Sequence, residues 1–276
     1  MAKRGGGRDP RGEKPRARDA EKIDFPFGPA ELLRRGLAEL GLPVEGMVSS
    51  LEKYVRELEL FNSVFDLVGA ECGTDAGRSD LVVRHILDSL APWRQIDALA
   101  RAVVARGDAA GDAAVGDATA RDAASGVKIA DAGSGAGFPG IPLAIAFPNI
   151  KFTLVERMSK RCAFLENVVA ICGLRNVTVL NREVEDAPEG AFEIVAFRAF
   201  RPLDEAMTKT LLRMVKRDAG TLAAWKARRE KIELEMSGIS GLVGEWECVP
   251  LNVPFLGHEE RNLVLISSGK LPCRSS

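Results

Sequence analysis

The sequence predicts an α/β protein: a doubly wound, mostly parallel sheet with helices on both faces, set behind a small N-terminal helical layer. Three observations predict it. From Val127 onward, short apolar runs alternate strictly with helical patterns, which implies parallel strands joined by right-handed crossovers. The first of those runs opens into a segment dense in glycine, DAGSGAGFPG at 131–140. Before Val127 the apolar residues instead recur at three- and four-residue steps, the period of helices with one buried face.

Taken in order, residues 1–29 read as a disordered basic arm. Its first 22 residues are rich in Gly, Pro and Arg and nearly empty of large apolar side chains, so burial cannot offset the entropy of ordering. The basic excess suits contact with RNA and suits a solvated tail equally well. Residues 30–95 form the helical layer. Within it Leu51, Tyr54, Val55, Leu58 and Phe61 share one face, and Ser49 or Ser50 can cap that helix at its start. After a turn-like stretch at 69–77, Leu81, Val82, His85, Ile86 and Leu90 give a further amphipathic helix that stops near Pro92. Residues 96–126, dominated by Ala, Gly and Asp, read as a low-complexity, mobile insert. The main domain is 127–268 and the tail 269–276. Strands are expected at 127–130, 151–155, 176–180, 192–197 and 221–225. Helices are expected at 139–147, 158–171 and 203–215, with Phe164, Leu165, Val168 and Val169 spaced for burial in the second. Segments 246–253 and 262–266 look like a terminal β pair.

Composition bounds the partners. The 276 residues suffice for one large domain, and 46% hydrophobic with 28% charged residues is ordinary for a globular chain. A formal net charge of −1 argues against holding nucleic acid by bulk electrostatics, though local patches can differ from the sum. The five cysteines, Cys72, Cys162, Cys172, Cys248 and Cys273, show no C-x-x-C spacing, so no zinc site is expected and idle thiols in a reducing cytosol are. No apolar run approaches the ~20 residues that span a bilayer, and the N-terminus lacks the apolar stretch of a secretory signal. A cytoplasmic chain with no membrane anchor and no metal is the expectation.

In such sheets ligands bind at the carboxyl ends of the strands, which directs attention to the loops after Ala130, Val155, Leu180 and Phe197. In the first loop, glycines at alternate positions let a ligand approach the backbone, and Asp131, Gly133, Ser134, Gly135 and Phe138 are its candidate cofactor residues. Glu156, at the end of the next strand, is placed to accept hydrogen bonds from both ribose hydroxyls of an adenosine cofactor; the other reading is a helix-start carboxylate. Val184 and Glu185 follow the third strand, where they can clasp an adenine ring or simply form a solvated turn. Arg198, leaving a buried strand in AFRAFRP, is either paired inside or aimed at an anionic ligand, and its place at the active edge favours the ligand. Lys226, ending TLAAW, falls on the same edge. A nicotinamide dehydrogenase wants G-x-G-x-x-G, and Gly135, Gly137 and Gly140 fit those letters. That register starts several residues past the strand and puts Pro139 where a helix should open on a pyrophosphate. S-adenosylmethionine has no pyrophosphate, and a looser loop with a bulky Phe138 suits it better.

These segments, together with LVVRHILDS at 81–89, KRCAFL at 160–165 and FRAF at 197–200, resemble the bacterial small-subunit rRNA guanine-N7 methyltransferases, the glucose-inhibited division protein B family. The resemblance runs over about 49–266 and leaves out the arm and the insert. It implies a class I S-adenosylmethionine-dependent methyltransferase (Rossmann-like) sheet with an N-terminal helical layer, acting on 16S rRNA or the small ribosomal subunit. It also implies that Gly133, Phe138, Val184, Glu185 and Arg198 hold the cofactor, and that Glu156 holds the ribose where relatives usually carry Asp. Phe65-Asp66-Leu67-Val68 departs from the Asn-Leu-Thr that the family commonly shows, which puts a role for Asp66 in doubt, and the insert is a further departure.

Arg84 and His85 divide between a packed helix and a substrate cleft, and Arg161 joins them as a substrate-binding candidate. Arg198 and Lys226 are the candidates for positioning the reactants. A basic rim of Lys160, Arg161, Arg175, Arg182, Arg198, Arg201 and Lys226 is expected to meet RNA phosphates. Guanine N7 already bears a lone pair, so no general base is needed, and the sequence offers no Ser/His or Cys/His pair. Methylation of another substrate, or a non-catalytic adenosyl-ligand sensor, are the competing functions.

Overall fold

The computed structural model describes residues 25–65, 67–69, 73–108, 126–217 and 219–268. The readings for 1–24, for 109–125 of the insert, for the tail, and for Asp66, Cys72 and Cys273 lie outside these residues. Helices α1 (Pro29–Leu40) and α2 (Val44–Phe65) come first, followed by α3 (Asp75–Asp80), a π-helical turn Leu81–Leu87, α4 (Asp88–Leu90) and α5 (Trp93–Asp108). The α/β unit follows as β1 (Lys128–Ala132), α6 (Gly140–Ala146), β2 (Lys151–Glu156), α7 (Ser159–Cys172) and β3 (Val177–Asn181). It continues through β4 (Ile194–Arg198), α8 (Glu205–Met214), β5 (Thr221–Lys226), α9 (Arg229–Gly238), β6 (Trp246–Pro250) and β7 (Asn262–Ser267).

The seven strands form one sheet in the order β3-β2-β1-β4-β5-β7-β6. Pairs from β3 to β5 are parallel, whereas β7 runs antiparallel between β5 and β6. The chain goes from β1 outward to β2 and β3, then returns to the other side of β1 as β4. That reversal opens a crevice at the carboxyl tips of β1 and β4, where ligands bind in open α/β sheets. One face of the sheet packs on the N-terminal layer through Tyr54, Ile86, Phe152 and Phe164. The other packs on α8 and α9 through Met207, Leu211, Ile232 and Met236. Burial on both faces explains why β1 and β4 read as continuous apolar runs rather than as alternation.

Several expectations are corrected. α2 starts at Val44, directly after Pro43, so Ser49 and Ser50 stand inside the helix and cap nothing. α5 runs through Asp108 with Ile96 and Ala100 buried, so the insert boundary at 96 falls within a helix. Residues 25–29 are placed too: the Phe27 ring meets Phe255 edge-on at 6.2 Å. The segment around His85 is π-helical rather than α-helical, with Leu81, Val82, Val83, Ile86 and Leu87 all buried. α9 went unread, its period hidden by charged residues. Among the described cysteines Cys162, Cys172 and Cys248 are free thiols. No described helix is long and apolar enough to cross a membrane, and no described cluster of His, Cys, Asp and Glu would hold a metal.

Candidate active site

Asp131 and Ala132 belong to β1, not to the loop, which begins at Gly133. Gly133 takes φ +70°, and a Cβ there would lie 2.1 Å from the Phe200 ring; backbone and neighbour both exclude a side chain. The Gly133 and Ser134 N–H groups donate to the Val155 carbonyl at 2.9 and 3.0 Å, tying the loop to the tip of β2. Glu156, 4% exposed, accepts from the Gly135 N–H at 2.9 Å through one carboxylate oxygen and from the Met158 N–H at 2.8 Å through the other. One carboxylate therefore joins the two loops that frame the crevice. From the N-terminal layer, the Tyr54 hydroxyl donates to the Ala136 carbonyl at 2.5 Å. Burial holds that phenol well above its usual pKa, so it remains a donor. Phe138 packs between Tyr54, 5.4 Å away, and His85, 5.1 Å away.

A cavity of about 480 Å³ opens on this loop, within the ~300–1,000 Å³ of small-molecule sites. Gly133, Ser134, Gly135, Phe138, Glu156, Val184 and Arg198 line it, as does Arg161; Asp131 and Glu185 do not. Asp131 is wholly buried, and its Oδ2 accepts from the Gly140 N–H at 3.0 Å, bracing the start of α6. Burial raises its carboxyl to about 7, against a partial offset from that hydrogen bond. Glu185 is exposed on the turn after β3 and accepts from Arg201 at 2.8 Å.

Arg198 lies inside rather than reaching for a ligand. It pairs with Asp88 at 2.9 Å and donates to the carbonyl of Arg84 at 3.0 Å and of His85 at 3.2 Å. It also stands 2.8 Å from His85 Nδ1; a guanidinium only donates, so that ring nitrogen accepts. Burial, and then the charge of Arg198, push His85 down to about 3, leaving the imidazole neutral and lining the cavity. Arg161, expected at the substrate, lines this same cavity, and its buried Nε has no hydrogen-bond partner.

Beside it lies a second cavity of about 450 Å³, and the segment Arg198, Ala199, Phe200 and Arg201 forms the wall common to both. Arg84 and Lys226 line this second space. Arg84 is paired with Asp80 at 2.7 Å and with Glu259, and Lys226 with Glu235 at 2.6 Å. The rim is only partly as expected. Arg182 and Arg201 line the mouth of the first cavity, while Arg175 precedes β3 and so stands at the opposite end of the sheet. Sequence reasoning missed Tyr54, Arg157, Met158 and Glu183 in the first cavity or its loop, and Asp88, Trp225, Glu235 and Arg261 in the second. Arg157 and Met158 adjoin Glu156, Glu183 adjoins Val184 and Trp225 adjoins Lys226, all within reach of the same register argument; Tyr54, Asp88, Glu235 and Arg261 come to the site through tertiary packing.

The donors fit an adenosyl cofactor with an amino-acid tail. A Cβ on Gly135 would meet nothing closer than 3.8 Å, the Glu156 carboxylate accepts from the Gly135 N–H, Val184 is a buried apolar surface, and Arg161 Nε is an unused buried donor. A β3-β2-β1-β4-β5-β7-β6 sheet with this loop at the tip of β1 and an acid at the tip of β2 defines a class I S-adenosylmethionine-dependent methyltransferase.

Comparison with known proteins narrows the class. The model of the family rRNA small subunit methyltransferase G matches residues 112–264. The ribosomal RNA small subunit methyltransferase G of Treponema denticola is 37% identical over 243 residues, covering 85% of this chain and 93% of its own. The proteins of that name from Treponema pallidum (strain Nichols) and Cellvibrio japonicus are each 34% identical, covering 88% and 84% of this chain and 94% and 93% of theirs. The chain belongs to the rRNA small subunit methyltransferase G family.

Proposed function

We propose that this enzyme transfers the methyl group of S-adenosylmethionine to N7 of a guanine in small-subunit (16S) rRNA, in the bacterial cytoplasm. The observation that carries the reading is the cavity built by Gly133, Glu156 and Val184 in a chain whose relatives are named for small-subunit rRNA methylation. When bound, S-adenosylmethionine supplies an electrophilic methyl group on a sulfonium. Glu156 holds the ribose hydroxyls with the lone pairs that its two backbone donors leave free. Val184 and Phe138 flank the cofactor, and Gly133, Ser134 and Gly135 offer it backbone. Asp131 and Glu185 act one step removed, Asp131 by bracing α6 and Glu185 by fixing Arg201. Arg198 positions His85 and Phe138 instead of gripping the cofactor by charge alone. Arg84, His85 and Lys226 shape the approach of the RNA.

N7 of neutral guanine carries a lone pair, so no proton has to leave before attack. The neutral His85 thus has no shuttle to run, and the residues contribute by placement and by excluding water. Carboxylates near the acceptor favour the positive charge that moves onto the purine. Incubation of the full chain with radiolabelled S-adenosylmethionine and undermethylated small subunits tests the reading. Label is expected in rRNA as 7-methylguanosine by mass mapping. Label on adenine or on protein would sink it, and cofactor binding without transfer would make the protein a sensor.

A further inference from the structure

The second cavity has room for a purine nucleotide, and among the charge pairs around it one sits at the tip of β5. Lys226 ends β5 and meets Glu235 of α9 at 2.6 Å, with side chains 18% and 30% exposed. Both face the cavity. On the side toward the cofactor lies Phe200, whose ring covers Gly133 and belongs to the wall shared by the two cavities. Trp225 gives a further apolar surface, its indole N–H being already donated to the Asp88 carbonyl at 3.2 Å.

A base presented for methylation at N7 must turn that edge toward the shared wall. For guanine this leaves O6, an acceptor, beside N1–H and the N2 amino group, both donors. An ammonium next to a carboxylate is the complementary donor and acceptor in the same order. Adenine presents the reverse, an amino donor beside the N1 acceptor, and would set like against like. We propose that the second cavity receives the extruded target guanine, against Phe200, and that the Lys226–Glu235 pair selects guanine by reading O6 with Lys226 and N1–H and N2–H with Glu235. This rests on the guanine-N7 reading above. Extrusion is how enzymes that modify a base commonly reach it. The backbone of Ala199, at φ +47°, holds the wall in a conformation that non-glycine residues rarely adopt.

The test uses the full chain, undermethylated small subunits and S-adenosylhomocysteine as the cofactor-site probe. Glu235→Gln is expected to lose at least tenfold in kcat/KM while its affinity for S-adenosylhomocysteine stays within twofold. The exchanged pair, Lys226→Glu with Glu235→Lys, keeps an ion pair between β5 and α9 but reverses donor and acceptor. It should fold, bind the probe and be at least as impaired. Full activity in the exchanged protein would show the pair to be structural and overturn the proposal, even if Glu235→Gln failed to fold. If the unsubstituted enzyme placed no methyl on guanine N7, the functional reading itself would fall, an outcome distinguishable from unaltered variants of an active enzyme.

Discussion

At the scale of single residues, Asp131 and His85 pull the stability of the fold in opposite directions with pH. Asp131 is pushed up to about 7 by burial, so between its ordinary value near 3.8 and pH 7 the folded state binds a proton that the unfolded state has lost. The stability it contributes is complete below pH 3.8 and is lost as pH rises through 7, by on the order of 4 kcal/mol. His85, pushed down to about 3, does the reverse: its contribution is present above 6.5 and is lost as pH falls toward 3. The two partly cancel between pH 4 and 6.5. Asp131→Asn keeps an oxygen for the Gly140 N–H and removes the charge. Denaturant unfolding of this variant from pH 4.5 to 8 should therefore show stability rising with pH to about 6.5 and then levelling, with a gain over the parent above pH 7. A profile that still falls between pH 5 and 7 would mean that Asp131 is not the group responsible.

Between elements, α6 approaches β1 and β2 closely. A Cβ on Gly140 would lie 2.4 Å from Leu154 and 2.6 Å from the Asp131 carboxylate. Gly140→Ala should cost about 1–3 kcal/mol by overpacking, read as a lower denaturation midpoint at unchanged m-value, together with weaker S-adenosylhomocysteine binding because the loop above is displaced. A second junction is the charge network that joins the π-helical turn and α4 to β4 and the loop before β7. Asp88 lies between Arg198 at 2.9 Å and Arg261 at 3.3 Å. Asp88→Ala leaves the largely buried Arg198 guanidinium without its carboxylate, while Arg261 keeps Glu259 at 2.6 Å, and a loss of about 3–5 kcal/mol is expected; a loss below about 1 kcal/mol would show that solvent reaches Arg198.

These junctions also mark the limit of what could be read in the sequence. The strands were legible because each is an apolar run bounded by turn residues, and Gly133, Phe138, Glu156 and Val184 were legible because they stand at fixed offsets from strand ends. Arg198 was placed at the correct edge but its partner was misjudged, since Asp88 lies 110 positions earlier and only the packing of α4 on the sheet brings it near. Tyr54 reads as core by its helical spacing, and nothing local says that its hydroxyl ends on the Ala136 carbonyl. The helical identity of 96–108 was hidden by composition: an Ala-rich, Asp-rich stretch looks like linker until Ile96 and Ala100 are seen to be buried.

Over the whole molecule, a net charge of −1 conceals an uneven distribution at one edge of the sheet. Every cation lining the second cavity is matched by a carboxylate: Arg84 and Arg261 by Glu259, Arg198 by Asp88, Arg201 by Glu185, Lys226 by Glu235. Matched charges fix geometry but neutralise no phosphate. The long-range attraction must come instead from the exposed arginines at the mouth of the first cavity: Arg182, and Arg157, whose contact with Glu183 is long at 3.5 Å, whereas Arg201 is held by Glu185 at 2.8 Å. If each of the first two meets one phosphate of single-stranded RNA, each adds about 0.7 to the slope of log K against log salt. The double variant Arg157→Gln, Arg182→Gln should then lower that slope by about 1.4 in binding to undermethylated small-subunit rRNA. Its affinity for S-adenosylhomocysteine should stay within twofold, because neither side chain is needed to hold the glycine loop. An unchanged slope would move the RNA contact away from this mouth. A changed slope with unchanged Lys226–Glu235 variants would separate RNA docking at the rim from recognition of the base within.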